Sequence, residues 1–112
     1  MTIVLGRLVQ ATEAKQIDIN GEMKTVLNNT IARRNPHNKN EAVFIDITAW
    51  GGLAEVIAQN LGKGDEALFI GELRNKKTTI GDKTITTVYL RVDKIEFTNG
   101  RKRNEAPNDE TA

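Results

Sequence analysis

Between Ala42 and Trp50 the chain alternates strictly: Val43, Ile45, Ile47 and Ala49 are interleaved with Phe44, Asp46, Thr48 and Trp50. A period of two puts successive side chains on opposite faces of a β-strand. One face of this strand is wholly aliphatic and belongs against a core. The other carries two large aromatics beside a carboxylate and a hydroxyl, a mixture that a packed interior has no use for. The strand therefore has one side that packs and one side that is offered to something else.

The flanking segments supply the rest of a small β domain. Ile3, Val4, Leu5, Leu8 and Val9 surround Gly6 and Arg7, which reads as a first strand with a glycine at a bend. A polar stretch ends in the turn dipeptide Asn20-Gly21, and a second strand is predicted from about Met23 to Arg33. Asn35 to Asn40 reads as a loop, followed by the alternating strand as the third. Gly51-Gly52 breaks it. Leu53, Ile57 and Leu61 then form the apolar stripe of a short helix, with Gly62 as its stop. A fourth strand is expected over Glu66–Arg74, a polar hairpin tip over Asn75–Lys83, and a fifth strand ending at Phe97. In that fifth strand Val88, Leu90 and Val92 alternate with Tyr89 and Arg91, so the last two should share an outer face. Five strands with one helix between the third and fourth is the order of an all-β OB-fold, a Greek-key barrel. It is expected over residues 1–99, with 100–112 as a disordered polar tail, because no large apolar residue follows Phe97.

Composition removes several classes of function. The 112 residues contain no cysteine and one histidine, so thiolate metal sites, disulfides and cysteine nucleophiles have nothing to build on. No long apolar run or basic leader precedes the first strand, and a cytoplasmic, nucleoid-associated protein without membrane contact is expected. His37 sits in a polar, basic loop and reads as a solvated residue. No GxxxxGK[ST] motif occurs, and acids, bases and nucleophiles do not gather in one segment. No catalytic residue, metal or cofactor is expected.

Single-stranded nucleic acid needs aromatic platforms for bases and cations for phosphates, and both are present. Phe44 and Trp50 are the platforms, with Tyr89 as a further candidate shared between a nucleic acid and a neighbouring subunit. The net charge of +1 names no partner, but the cations cluster: Arg33, Arg34 and Lys39 in one group, Arg74, Lys76 and Lys77 in another.

The run Phe44-Ile-Asp-Ile-Thr-Ala-Trp50-Gly-Gly-Leu-Ala-Glu-Val, then Leu61-Gly-Lys-Gly and Ile70-Gly-Glu-Leu-Arg74, closely resembles the bacterial and phage single-stranded DNA-binding protein family. Val4-Leu-Gly-Arg-Leu8 resembles the family's opening strand, so the resemblance covers about residues 2–97. It implies base stacking on Phe44 and Trp50, basic contacts from Arg33, Arg34, Arg74, Lys76 and Lys77, and a homotetramer, with a dimer as the second choice. Where the family carries further loop aromatics, this chain has Pro36-His37 and Thr78-Thr79. Its terminus, Asn108 to Ala112, has acids but not the hydrophobic pair through which the family recruits repair and replication enzymes. A short tail and thinned aromatics suit a phage or mobile element. The expected function is sequence-tolerant binding and protection of single-stranded DNA in replication, recombination or repair. An OB-fold adaptor of a replication complex is the alternative.

Overall fold

The structure, a computed structural model, describes residues 1–35 and 37–98, the side chain of Lys39 excepted. Seven elements follow in order: β1 (Thr2–Leu8), β2 (Ala14–Ile19), β3 (Glu22–Asn35), β4 (Asn38–Trp50), α1 (Gly51–Asn60), β5 (Glu66–Ile80) and β6 (Lys83–Phe97). The strands form one sheet in the order β1-β5-β6-β4-β3-β2, and a second pairing of β1, with β3, closes β1, β5, β6, β4 and β3 into a barrel.

The closure depends on β1 serving two neighbours. From Thr2 to Arg7 it pairs antiparallel with β5, and at Arg7 and Leu8 it pairs with β3. Gly6 lies at this crossing, where an added Cβ would stand 3.0 Å from the Ile31 Cβ and 3.3 Å from the Ala32 carbonyl oxygen. The remaining seam is the parallel pairing of β4 with β6 through Asp46↔Tyr89, Ile47↔Leu90 and Thr48↔Arg91. Inside the barrel Leu8, Leu27, Ile31, Ile47, Phe69 and Leu90 are fully buried, and Ile57 of α1 closes one end.

Three expectations need correction. There are six strands rather than five, because the polar stretch before Asn20-Gly21 is itself a strand. Lys15, Ile17 and Ile19 alternate with Gln16 and Asp18, and β2 pairs with β3 from Ala14↔Leu27 to Ile19↔Glu22. Asn20 and Gly21 both take positive φ, 54° and 83°, as a tight hairpin requires. The helix consequently follows the fourth strand, and it begins at Gly51, whose φ of 64° turns the chain out of β4. Its end is not a glycine cap: Leu61 leaves in extended conformation, and the buried Asp65 carboxylate accepts from the Gly62 N–H at 2.7 Å.

The third correction concerns the two polar segments. β3 runs to Asn35 and β4 resumes at Asn38, while β5 and β6 stay paired out to Ile80↔Lys83, leaving only Gly81-Asp82 as a turn. Hydrogen bonding along the ladder outweighs the weak strand propensity of Asn and Lys, because each residue is paired across the hairpin. Arg34, Lys76 and Lys77 therefore stand on strands, not in loops, continuing the strands expected to end at Arg33 and Arg74. The predicted tail lies outside the described residues.

Beyond Gly71 β5 parts from β1, and past Tyr89, where β6 parts from β4, the β5–β6 hairpin continues as an arm; Glu72–Ile80 and Lys83–Val88 are all exposed. The pairing shifts between Ile70 and Gly71, which oppose Lys94 and Val92 and leave Asp93 as the extra residue of a bulge. At Gly71 an added Cβ would fall 1.8 Å from the Arg91 carbonyl oxygen. That contact involves backbone and has no side chain to move aside, so Gly71→Ala should lower unfolding stability by about 3 kcal/mol, the upper range for overpacking. Gly52→Ala, with nothing within 4 Å, should leave stability unchanged or raised. Urea melts of the two variants test this, and equal stabilities would contradict it.

Candidate nucleic-acid interface

The outer face of the barrel is set by β4, whose central residues are paired on both edges. Phe44, Asp46, Thr48 and Trp50 project outward, opposite Ala32, Thr30, Asn28 and Val26 of β3. On the other edge Tyr89 and Arg91 of β6 lie beside Asp46 and Thr48. The inward partners Ile45, Ile47 and Ala49 are packed in or against the core. Phe44 is 62% and Trp50 39% exposed. Large aromatics normally bury most of their area, and here the inner face is already filled with aliphatic side chains. The alternation in the sequence placed both rings correctly. Tyr89 is half-buried on the same face, as the alternation of β6 predicts.

Two hairpins wall this face. β2 contributes Lys15 and Ile17, and the arm contributes Asn75, Lys76, Thr87 and Tyr89, enclosing with the β3–β4 floor an open groove of about 680 Å³ that reaches Trp50. A second groove, about 670 Å³, continues along β3 past Ala32 and is lined by Arg7, Arg33 and Arg34. Outward residues of β3 line both, from Val26 at one end to Arg34 at the other. At roughly 3.3 Å per residue this track is about 26 Å long.

The predicted cations divide by strand pleat. Arg74 pairs with Tyr89 and Lys76 with Thr87, so both share the face of the stacking residues, whereas Lys77 pairs with Thr86 on the opposite side of the arm. Arg34 lies on the outward register of β3, and Arg33 opposes Val43 on the inward register, beyond the end of the core. Among the described residues none of these five cations takes part in an ion pair. Arg91 and Arg7 are committed to Asp93 and Glu66, at 3.2 and 3.8 Å. Lys39, the remaining candidate, has its side chain outside the described residues.

Two things were not foreseen: the strand β2, and the β3 partners of Asp46 and Thr48. Lys15 and Ile17 stand on the unrecognised β2, although the Lys15, Ile17, Ile19 alternation ahead of Asn20-Gly21 is a hairpin signal. Between the aromatics lies a polar island. The Thr30 hydroxyl donates to the Asp46 carboxylate at 3.0 Å, and the Thr48 hydroxyl donates to the Asn28 side-chain oxygen at 2.7 Å. Behind it the buried Asn29 fixes the chain entering β2: its side-chain oxygen accepts from the Gln10 N–H at 3.3 Å, and its NH₂ donates to the Gln10 carbonyl at 3.1 Å. No group of three or more metal-ligating side chains is found among the described residues. No helix among them is long and apolar enough to cross a membrane.

A shallow, two-walled track with aromatics on its floor and unpaired cations along it is a surface for an extended polyanion bearing flat groups. The family model of the single-strand binding protein family matches residues 1–98. The chain belongs to that family. It is 31% identical over 115 aligned positions to "Single-stranded DNA-binding protein 2" of Chlorobaculum tepidum, covering 96% of this chain and 76% of the relative. "Single-stranded DNA-binding protein 1" of Clostridium acetobutylicum is 34% identical over 64 positions, 55% of this chain and 58% of that one. "Single-stranded DNA-binding protein 2" of Nostoc sp. is 33% identical over 70, or 62% and 53%. The family implies an OB-fold, in keeping with the closed barrel of β1, β5, β6, β4 and β3.

Trp50 is the only tryptophan, so its surroundings can be read directly. Acrylamide should quench its emission efficiently in the free protein, in keeping with its partial exposure. A blue-shifted, unquenched band would place the ring in a packed environment and contradict the site.

Proposed function

We propose that this protein binds and protects single-stranded DNA with little regard to sequence, in replication, recombination or repair. It acts by binding rather than by catalysis. The observation that carries this reading is the pair Phe44 and Trp50, exposed on a strand whose backbone is held on both sides, with uncommitted cations along the same track. A base stacked on an aromatic contributes about 1–3 kcal/mol whichever base it is, so such a floor tolerates sequence. Arg34, Arg74 and Lys76 take the phosphates, with Arg33 where the track leaves the barrel and Lys39 beyond it. The relatives named for single-stranded DNA support the same reading. A cytoplasmic setting on the nucleoid, whether of a chromosome, a phage or a mobile element, follows from it.

The protein works as a homo-oligomer, a tetramer in preference to a dimer. Support comes from β1, whose Thr2–Gly6 segment pairs with β5 on one edge and has no described partner on the other. An unpaired strand edge is a template for another strand. Beside it Ile3 and Leu5, both exposed, oppose Ile70 and Leu68 and make an apolar outer patch. An edge and a face on one subunit are sufficient for two kinds of contact.

Titration with oligo-dT should quench Trp50, and Trp50→Ala should weaken binding about tenfold, the equivalent of 1.4 kcal/mol. The slope of log K against log salt should be near −3 if about four phosphates are engaged, and Lys76→Ala should flatten it by about 0.7 while Lys77→Ala does not. No quenching and no mobility shift at low salt would refute single-strand binding.

A separate measurement tests assembly. Solution mass should give four chains, and Leu5→Lys should reduce it by opening the β1 contact. A monomeric wild type would refute the assembly.

A further inference from the structure

The fold fixes where the chain leaves the barrel. β6 ends at Phe97, which pairs with Ala67 of β5. At the next residue the Thr98 hydroxyl donates to the Glu66 carboxylate at 3.0 Å and lies 3.4 Å from the Glu66 carbonyl oxygen. Glu66 in turn lines the second groove, together with Arg7, Arg33 and Arg34. The exit is therefore tied to the rim of the groove that holds two uncommitted cations.

That rim connects directly to the stacking face. Glu66 pairs with Arg7, Arg7 with Ala32, and Ala32 with Phe44, so one row of outward positions crosses β5, β1, β3 and β4 and ends on an exposed ring. At about 4.8 Å per strand the row is roughly 14 Å long. The acids along the groove are engaged: Glu66 by Arg7 at 3.8 Å and by Thr98, Glu41 by the Asn35 amide at 2.9 Å. Arg33 and Arg34 make no ion pair among the described residues. With three arginines against two carboxylates, the groove carries net positive charge from β3 to the rim.

The residues after Thr98 are Asn99-Gly100-Arg101-Lys102-Arg103, three successive cations with no acid before Glu105. Their distance from the groove is bounded by covalent geometry alone. Consecutive Cα atoms are about 3.8 Å apart, so on any path the Arg101 Cα lies within about 11 Å of that of Thr98. Taking the single-strand reading as its basis, we infer that Arg101, Lys102 and Arg103 form a third group of phosphate contacts, extending the DNA site from β3 across β1 to the Glu66 rim. Cations tethered at the rim are held at high effective concentration over the groove. They meet the phosphate backbone and not the bases, so the contact is indifferent to sequence, as is stacking on Phe44 and Trp50.

Salt-dependent binding of long oligo-dT to the full chain tests this. Four contacts on the barrel alone give a slope near −3, and three more, at roughly −0.7 each, steepen it to about −5. Replacing Arg101, Lys102 and Arg103 together by alanine should return the slope to near −3, while quenching of Trp50 at saturation stays as in the wild type. Arg101→Lys combined with Arg103→Lys keeps the charge and should keep the steep slope. All three positions follow the last strand, and a thermal melt of each variant should match the wild type. A slope that the triple substitution leaves unchanged would overturn the third group while single-strand binding stands, and so would loss of the steep slope in the lysine variant. Failure of the wild type to bind oligo-dT at low salt would overturn both.

Discussion

The doubly paired backbone of β4 is the constraint on which the rest of this molecule rests. At Asp46, Ile47 and Thr48 the strand is held by β3 on one edge and by β6 on the other. Its inward residues are clamped in a close-packed core, where Ile47 and Ala49 have almost no exposure. A strand held in this way cannot slip by one residue without exchanging its faces. The two rings on its outer side are consequently displayed by a rigid support, and no part of the core has to rearrange to offer them. This differs from sites built on loops, where ordering the chain costs conformational entropy when the ligand arrives.

Barrel closure and site formation are linked through the same strands. β1 completes the barrel by reaching both β5 and β3, and the turn before β5 is tied to its end: the Gly64 N–H donates to the Leu8 carbonyl at 2.8 Å and the Leu8 N–H to the Asp65 carbonyl at 2.9 Å. The Arg7 guanidinium adds a bond to the Gly64 carbonyl at 3.1 Å. These contacts fix where β5 starts, and hence where the arm carrying Arg74 and Lys76 leaves the barrel. The second wall, β2, is fixed through Asn29, whose buried amide would be costly to leave unpaired and so holds Gln10 in place.

Much of this was legible from residue order, and the exceptions have physical causes. Strict alternation in β4 and β6 identified the faces of Phe44, Trp50 and Tyr89, because burial on one side only leaves a period of two. β2 was hidden since it pairs at the sheet margin with little to bury, so Lys15, Gln16 and Asp18 dilute the pattern. The length of the β5–β6 arm was hidden for a related reason. Asn75, Lys76 and Lys77 have the composition of a loop, and only cross-strand pairing keeps them extended. The division of the cations followed from this. In a loop, neighbouring lysines point where they please, but on a strand Lys76 and Lys77 must face opposite ways.

The bulge at Gly71 carries a consequence for how the arm can vary among relatives. β5 parts from β1 there, β6 stays paired with β4 as far out as Tyr89, and beyond Arg74 and Tyr89 the two strands are coupled only to each other. The register that puts Arg74 and Lys76 on the side of Tyr89 is counted outward from that point. Changes in arm length that add or remove two residues on each strand preserve the allocation of charge, altering only how far the cations reach. A change of one residue would transfer every cation beyond it to the far side while leaving the composition of the segment almost the same. Arm length in this family should therefore be compared by parity as well as by residue count.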